Sequence, residues 1–294
     1  MLARFVQSLP NGIAQSITCL YFKAISWQSR GLVRNMTSSM VANIEIVSVP
    51  ALRDNYMYLV IDSGSGQAAV VDPVEPQALL RIVRERGLTL NMALITHHHY
   101  DHAGGNQELL KEHPDLPVLS ADTRVPGTTR LLQHGDTAVL GGLTIEALFT
   151  PAHTLGSVCY LVTDMQKPGA VFTGDTLFSA GCGRLFEGTA EQLLAAMDQL
   201  AALPVDTFIF PGHEYTVANL RFAAHVQPKN VHVKERTEWA THKIENGEPT
   251  IPSTIGDELQ FNPFMRARNP QLVKGETDPV LTIKRLRLEK DNFK

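Results

Sequence analysis

Thr96-His-His-His-Tyr-Asp-His-Ala-Gly-Gly105 is the most informative stretch of the chain, because it gathers four of the eleven histidines beside an aspartate. It follows Met92 to Ile95, a short apolar run that predicts a buried strand. Residues two apart at the carboxyl end of a strand can point their side chains the same way. Neutral imidazoles and carboxylates are ligands for zinc or iron. The stretch therefore predicts a metal site, with His97, His99, Asp101 and His102 as its candidate ligands.

Three later segments carry side chains of the same kind beside Gly, Pro or Thr. They are Thr150-Pro-Ala-His153, Phe172-Thr-Gly-Asp175 and Pro211-Gly-His213, and the last two follow apolar runs that predict strands. A single histidine at the end of a strand is more often structural than a ligand. Together with the first stretch, however, these segments offer five histidines and two aspartates, which are enough for two metal ions.

The rest of the pattern predicts strands with interspersed helices, followed by a helical tail. Strands are predicted at 44–49, 56–61, 68–71, 143–149, 158–162, 170–173 and 208–210. Helices are predicted at 76–86, around Leu109, and at 190–203, 217–246 and 279–291. Thr189 with Gln192 three residues later forms a capping box for the helix at 190–203. A Pro-containing loop around 249–264 is expected to join the two tail helices.

Composition excludes several other classes of protein. The 294 residues are 44% hydrophobic and carry a formal net charge of −4, so general nucleic-acid binding is not expected. No apolar run approaches the roughly 18 residues of a membrane span. Three cysteines without a CxxC pair do not form a disulfide framework, which favours a reducing compartment. We therefore expect no nucleic-acid or membrane partner.

Residues 1–43 differ in charge from the rest of the chain. They contain Arg4, Lys23, Arg30 and Arg34 but no acidic residue, and they are rich in Ser and Gln. This composition is typical of a mitochondrial transit peptide; a disordered leader is the alternative. The full chain is therefore expected in the mitochondrial matrix. A chain that starts at Met36 or Met40 is expected in the cytoplasm.

The motifs together resemble those of the metallo-β-lactamase superfamily, and the span from about 44 to 293 resembles its glyoxalase II (hydroxyacylglutathione hydrolase) family. The strings that carry the narrower resemblance include Asp54-Asn-Tyr-Met-Tyr-Leu59, Phe172-Thr-Gly-Asp-Thr-Leu-Phe178, Gly181-Cys-Gly-Arg-Leu-Phe-Glu-Gly188, Gly212-His-Glu-Tyr215, Asn262-Pro-Phe-Met-Arg266 and Leu288-Glu-Lys-Asp-Asn-Phe293. The resemblance implies an α+β fold, a four-layer αββα sandwich at 44–216, with a helical glutathione-binding domain at 217–294.

The same resemblance implies how the metal ligands divide. One divalent metal would take His97, His99 and His153. The second would take Asp101, His102 and His213. Asp175 would bridge the two metals and, with them, hold the hydroxide that attacks the substrate. Zinc is favoured, with iron or manganese as alternatives, because all three accept these ligands.

Substrate residues are also implied by the resemblance. The positions that match the family's glutathione site are Arg184, Phe186, His213, Tyr215, Arg287 and Lys290. An Arg guanidinium can bind a glutathione carboxylate through two hydrogen bonds. Phe186 stands where some members have Tyr, and Ala152 stands where the family usually has Gly. These departures bear on affinity rather than on the reaction. The alternative for Arg287 and Lys290 is a solvated helix face.

The implied activity is hydrolysis of S-(2-hydroxyacyl)glutathione, chiefly S-D-lactoylglutathione, to glutathione and D-lactate by a monomer. This reaction is the second step of methylglyoxal detoxification. Alternatives are a persulfide dioxygenase of the same superfamily and a non-catalytic binding protein that kept the fold. Cys182 lies beside the implied substrate segment, and we expect a packing role for it rather than a nucleophilic one. His98, between two candidate ligands, is expected to be structural.

Overall fold

The computed structural model describes residues 35–164, 169–273 and 278–293, without the side chains of residues 271 and 273. The strands are β1 (Thr37–Val41), β2 (Ile44–Ala51), β3 (Asn55–Asp62), β4 (Gln67–Val71), β5 (Thr89–Leu94), β6 (Val118–Ser120), β7 (Arg130–Leu131), β8 (Thr137–Leu140), β9 (Leu143–Phe149), β10 (Val158–Asp164), β11 (Ala170–Gly174), β12 (Leu177–Phe178), β13 (Gly181–Cys182), β14 (Phe208–Pro211) and β15 (Ser253–Thr254). The helices are α1 (Pro76–Glu85), α2 (Tyr100–Ala103), α3 (Asn106–Glu112), α4 (Ala190–Ala201), α5 (Thr216–Val226), α6 (Val231–Glu245), α7 (Ile255–Phe261), α8 (Pro270–Val273) and α9 (Pro279–Asn292).

Two sheets pack face to face. The first has the order β1-β2-β3-β4-β5-β6-β7, and the second has the order β15-β14-β11-β10-β9-β8. All eight residues of β3 are buried. Because side chains alternate along a strand, Tyr58 and Val60 pack into the core shared with Tyr160 and Phe172 of the second sheet. The space between the sheets is therefore a continuous apolar core.

Helices cover the outer face of each sheet. Leu59 of β3 packs with Leu79 of α1 in a second core on the far side of the first sheet. Val171 of β11 packs with Met197 of α4 in a third core on the far side of the second sheet. The predicted αββα sandwich is confirmed, and the predicted capping box of α4 is present, with Gln192 N donating to the Thr189 side chain at 3.3 Å.

Strand direction brings three of the seven candidate ligands to one edge of the second sheet. β9 and β11 both run antiparallel to β10, and β11 runs parallel to β14. β9, β11 and β14 therefore point the same way, and their carboxyl ends precede His153, Asp175 and His213. Gly174 at the end of β11 has φ +47°, and a Cβ there would lie 2.4 Å from Thr96 Oγ1. Only glycine allows β11 to approach the segment after β5 so closely.

The helical tail differs from its prediction in two places. The single helix expected at 217–246 is wrong, because α5 ends at Val226 and α6 begins at Val231. Pro228 disfavours helical backbone at Gln227, and the Asn230 side chain then caps α6 by accepting from His232 N at 3.1 Å. The loop expected around 249–264 contains α7, which is capped by Thr254. Strand pairing also continues past His213, because β15 pairs with β14.

The first sheet begins earlier than predicted. β1 lies within residues 1–43 and pairs with β2 from Thr37↔Ser48 to Val41↔Ile44. Residues 1–34, which hold all four basic residues of the expected leader, lie outside the described residues. Among the described helices, none is both long and apolar enough to cross a membrane.

Truncation should reveal the contribution of β1. A chain that starts at Met36 keeps all five pairs of β1 with β2, whereas one that starts at Met40 keeps only the pairs made by Met40 and Val41. The Met40 form therefore loses three of the five pairs. Each backbone hydrogen bond contributes a net stability of about 1 kcal/mol, and each kcal/mol changes Tm by about 2–4 °C. We therefore expect the Tm of the Met40 form to be lower by on the order of 5 °C. Calorimetry of both forms measures this difference. Equal Tm values would show that the pairs made by residues 37–39 of β1 add no stability.

Candidate metal centre

The first group of candidate ligands comes from two loops. His97 and His99 lie between β5 and α2, and His153 lies between β9 and β10. His99 Nδ1 is 3.1 Å from His97 Nε2 and 3.0 Å from His153 Nε2. The nitrogens of a tetrahedral zinc site are about 3.3 Å apart, given Zn–N distances of about 2.0–2.1 Å. The three imidazoles are therefore arranged as ligands of one ion.

The second group lies beside the first. His102 Nε2 is 3.3 Å from His213 Nε2, and Asp101 Oδ2 is 3.4 Å from His213 Nε2 and 3.8 Å from His102 Nε2. Asp101 and His102 are on α2, whose single turn points both side chains toward His213. The family resemblance implied the same three residues as one group, and the structure brings them together.

Asp175 lies between the two groups. Its Oδ2 is 3.4 Å from His153 Nε2, and its Oδ1 is 3.2 Å from His102 Nε2 and 3.4 Å from His213 Nε2. The buried Oδ1 has no hydrogen-bond partner among the described residues. Buried polar atoms normally have a partner, and a carboxylate facing converging imidazole nitrogens fits a shared cation. The seven side chains thus suit a pair of divalent metal ions with Asp175 between them.

Outer hydrogen bonds fix the orientation of three imidazoles. His102 Nδ1 is 2.8 Å from Asp72 Oδ2, His213 Nδ1 is 2.9 Å from Asp54 Oδ1, and His153 Nδ1 is 2.9 Å from the carbonyl oxygen of Arg184. A proton held on Nδ1 leaves Nε2 free to bind a metal.

Asp54 and Asp72 are functional residues that sequence reasoning did not assign. Asp72 directly follows the buried strand β4, and Asp175 directly follows β11. The position of an acid after an apolar run was therefore a signal that could have identified Asp72. Asp54 carried only a turn signal, with Asn55. Asp72 has φ +49°, a backbone conformation that aspartate and asparagine tolerate better than most residues.

Burial and mutual charge set the protonation of the cluster. Burial, reinforced by neighbouring imidazoles, lowers the pKa of His97 well below its usual range and that of His99 to about 3. Burial alone would raise the pKa of Asp175, but the imidazoles of His213, His102 and His153 hold it well below its usual range. The cluster therefore offers ionised carboxylates and neutral imidazoles in its first group, which are the forms that bind metals.

The predicted substrate residues lie at different distances from this cluster. The Tyr215 ring stacks on His213 at 4.7 Å between centroids, and the Phe186 ring lies 5.1 Å from that of His153. Arg184 is largely exposed, with Nε 3.6 Å from Asp291 Oδ1. These three residues lie near the metal cluster or on the segment that borders it.

Arg287 and Lys290 project from α9 toward the segment 182–184. Arg287 is only 6% exposed, and it donates to the carbonyl oxygen of Cys182 at 3.0 Å and to Asp291 at 2.9 Å. It is therefore not part of a solvated helix face. Lys290 Nζ donates to the carbonyl oxygen of Ala218 at 3.1 Å. Burial, together with the charge of Arg287, lowers the pKa of Lys290 to about 8.

Four further residues that the sequence singled out are not metal ligands and are held by packing or by contacts with other residues. His98 Nδ1 lies 3.2 Å from Asp122 Oδ2, away from the metal ligands. Cys182 is buried, and burial raises the pKa of its thiol despite the nearby Arg287. Cys159 is buried in the third core, and burial raises its pKa to about 11. Ala152 is buried and is not one of the four described non-glycine residues with positive φ, so the substitution for glycine brings no such strain.

Comparison with known proteins places the chain in a family. The pattern of the metallo-beta-lactamase superfamily matches residues 52–213, and that of the hydroxyacylglutathione hydrolase C-terminus matches residues 214–293. The hydroxyacylglutathione hydrolase of Synechococcus sp. is 45% identical over 258 residues, which cover 85% of this chain and all of that protein. The chain belongs to the hydroxyacylglutathione hydrolase family. It is therefore a metallohydrolase of the metallo-β-lactamase superfamily, as predicted.

Other relatives carry the same family name, and solved structures share the fold. The cytoplasmic hydroxyacylglutathione hydrolase of Arabidopsis thaliana and the hydroxyacylglutathione hydrolase-like protein of Gallus gallus are each 44% identical over 257 residues; these cover 85% of this chain and 100% and 90% of those proteins. ETHE1 from Myxococcus xanthus superposes with a TM-score of 0.58 at 25% identity, over 88% of this chain and 91% of that one. A protein solved in a di-iron-bound form has a TM-score of 0.50 at 25% identity, over 74% of this chain and 98% of its own.

The comparisons decide between the activities considered from the sequence. The C-terminal family pattern and the curated relatives are those of hydroxyacylglutathione hydrolases, which favours the hydrolase over the persulfide dioxygenase alternative. All seven candidate ligands are present and converge, so no ligand loss marks a non-catalytic member of the family.

Substitution of Asp72 should weaken metal binding without touching a ligand. Asp72→Asn keeps the shape and tolerates the positive φ, but it removes the negative charge opposite His102 Nδ1. Loss of such an outer partner typically costs 10–100-fold in metal affinity. Chelator competition followed by metal analysis measures the change, with Asp198→Asn at the surface as the control. Affinity equal to that of the control would remove Asp72 from the metal centre.

Proposed function

We propose that this hydrolase cleaves S-(2-hydroxyacyl)glutathione thioesters, chiefly S-D-lactoylglutathione, and releases glutathione and D-lactate. The convergence of seven metal-binding side chains, in a chain that matches hydroxyacylglutathione hydrolases over 85% of its length, carries this proposal. In the reaction, water adds to the thioester carbonyl, the C–S bond breaks, and the thiolate takes the electron pair. A thiol has a pKa of about 8.5, so this leaving group needs little protonation and no separate strong acid.

Two zinc ions are the proposed cofactors. His97, His99 and His153 would hold one ion, Asp101, His102 and His213 the other, and Asp175 would contact both. When bound, two such cations lower the pKa of water toward neutrality and stabilise the negative charge that develops on the carbonyl oxygen. Imidazole-rich sites suit zinc, and iron is the main alternative, because both metals accept this donor set.

The side chains of the protein orient the ligands and the substrate. Asp54, Asp72 and the Arg184 carbonyl hold three imidazoles in fixed directions, which limits reorganisation during the reaction. The rings of Phe186 and Tyr215 pack against His153 and His213 and form part of the wall around the cluster.

Cations beside the cluster suit the two carboxylates of glutathione. Arg184 is largely exposed, with only a surface ion pair to Asp291 to exchange for a ligand carboxylate, and Lys290 is half-buried beside Cys182. Arg287 already has protein partners, so we propose that it supports the segment 182–184 as well as adding positive charge. Since one chain supplies every proposed ligand and substrate residue, we propose that the enzyme acts as a monomer; light scattering tests this state.

We also propose that the residues before β1 direct the chain to the mitochondrial matrix. The acid-free, basic composition of residues 1–43 supports this location. Since β1 starts at Thr37, a cleaved leader must end before that residue to leave the sheet whole. A reporter fused to residues 1–36 should enter mitochondria, and a chain starting at Met36 should stay in the cytosol. A reporter that remains diffuse would remove this proposal.

The choice between metal and cysteine chemistry can be tested at two residues. Asp175→Asn removes a negative charge between the two ligand groups, and we expect a loss of bound metal and a rate reduction of on the order of a hundredfold or more. Cys182→Ala should retain most activity, because the buried thiol is protonated at neutral pH. Hydrolysis of S-D-lactoylglutathione and metal analysis measure both effects. The reverse ranking would favour covalent catalysis by cysteine.

Lys290 should contribute to binding in a pH-dependent manner. A charged hydrogen bond contributes about 1.5–3 kcal/mol, so Lys290→Gln should raise KM for the glutathione thioester about tenfold while kcat changes little. The pKa of Lys290 is lowered to about 8 by burial and by Arg287, against the opposing charge of Asp291. Its charge is therefore lost as pH rises through 8, and KM of the parent enzyme should rise from pH 7 to pH 9.

The Lys290→Gln experiment has two controls, one a variant and one a substrate. Lys284→Gln changes an exposed lysine on the same helix and should leave KM unchanged. A short acyl thioester without the glutathione peptide should be hydrolysed equally by the Lys290 variant and the parent. A KM that is the same in the Lys290 variant and the parent at every pH would exclude a glutathione contact at this residue.

A further inference from the structure

Arg124 lies between two carboxylates that belong to different loops. It follows β6, and its guanidinium contacts Asp122 through Nε at 2.9 Å and Nη2 at 2.7 Å. The same guanidinium contacts Glu187 through Nη1 at 2.5 Å and Nη2 at 2.9 Å. Both contacts are bidentate, a geometry that the planar fork of arginine supplies and the single ammonium of lysine does not. We call these three residues the Asp122–Arg124–Glu187 bridge.

The Asp122 end of the bridge is anchored against two loops that carry metal ligands. Asp122 is buried, and its Oδ2 lies 3.2 Å from His98 Nδ1, between His97 and His99. A Cβ at Gly156 would lie 2.4 Å from Asp122 Oδ2, so the carboxylate packs directly on the loop that follows His153. Asp122 is therefore held in place against the two loops that carry the ligands of the first group.

The Glu187 end holds the segment 184–188. Glu187 Oε2 accepts from Leu155 N at 2.8 Å, and Phe186 N donates to the carbonyl oxygen of His153 at 3.2 Å. Gly188 N donates to the carbonyl oxygen of Ala152 at 2.9 Å. Backbone hydrogen bonds thus hold the segment 184–188 against the loop that carries His153. The bridge holds the same segment through the side chain of Glu187.

The fastened segment carries two residues of the proposed substrate site. The Phe186 ring packs on His99 at 5.6 Å and on His153 at 5.1 Å, although the residue is 44% exposed. Arg184 projects from the other end of the segment into solvent. A loop that presents exposed binding side chains needs such a support, because ordering it only when substrate binds would reduce affinity.

We propose that Arg124 is a positioning residue, which sets affinity for the glutathione part of the substrate by holding the segment 184–188 against the metal centre. The inference rests on the proposed thioesterase function for its kinetic test, but the bridge itself is a property of the protein alone. Arg124 acts through Glu187 and is not assigned a contact with the substrate. Its removal should therefore affect KM and leave the chemical step nearly unchanged.

The experiment compares Arg124→Gln, Glu187→Gln and the double variant. Each single change should raise KM for S-D-lactoylglutathione about fivefold to tenfold, with kcat within twofold and metal content unchanged. The double variant should be no worse than either single one, because both changes break the same bridge. Arg124→Lys, which keeps the charge but loses the fork, should give an intermediate KM. Arg268→Gln breaks a comparable surface pair with Asp198 and should leave KM unchanged.

A second measurement does not depend on any substrate. Amide hydrogen exchange of Leu155, Phe186 and Gly188 should be faster in Arg124→Gln than in the parent, because their hydrogen bonds lie along the fastened segment. Unchanged exchange, additive effects in the double variant, or equal losses on a short thioester without glutathione would each overturn the proposal. Failure of the parent to prefer the glutathione thioester would instead count against the proposed function, and the exchange data would still decide the role of the bridge.

Discussion

The Asp175 carboxylate, shared between two groups of imidazoles, is the constraint on which the site depends. Four imidazoles, those of His97, His102, His153 and His213, lie within a few ångströms of it, and His99 and Asp101 adjoin these, on loops that come from both sheets. Packing that many polar side chains together is unfavourable unless cations neutralise the carboxylates and occupy the converging lone pairs. The scaffold must therefore hold the groups in place before any metal binds, and the two apolar sheets provide that rigidity.

Close approach of the two sheets makes this arrangement possible. Tyr58, Tyr160 and Phe172 fill the core between them, and Tyr160 also donates to the carbonyl oxygens of Ile95 and Leu119. The last strands before the ligands are thereby fixed relative to one another. Gly174 then lets β11 pass directly beside Thr96, so that Asp175 reaches the histidines that follow β5.

The C-terminal helices hold the hairpin that lies beside the metal-ligand cluster. Buried Glu258 on α7 accepts from Ala180 N at 2.8 Å, and Asn262 donates to the carbonyl oxygens of Phe178 and Gly181. Arg287 on α9 donates to the next carbonyl, that of Cys182. The hairpin of β12 and β13 is therefore held by the C-terminal region, and the segment after it is held by the Asp122–Arg124–Glu187 bridge. Both halves of the chain thus shape the loop beside the cluster of candidate ligands.

Local sequence patterns determined the elements and the ligand types. Apolar periodicity located most strands and the helices α1, α4 and α9, because burial on one face imposes a period of two or 3.6 residues. The seven candidate ligands stood out because each is a metal-binding residue directly after a strand or in a turn. Pro228, which ends α5, and the Thr254 cap of α7 were also visible in the sequence, but the apolar pattern on either side obscured them.

Tertiary structure alone decided which distant groups meet. The pairing of Asp54 with His213, the burial of Arg287 and the contact of Arg124 with Glu187 join residues 63 to 159 positions apart. No local pattern encodes such contacts, because they arise only when sheet packing brings separate loops to the same edge.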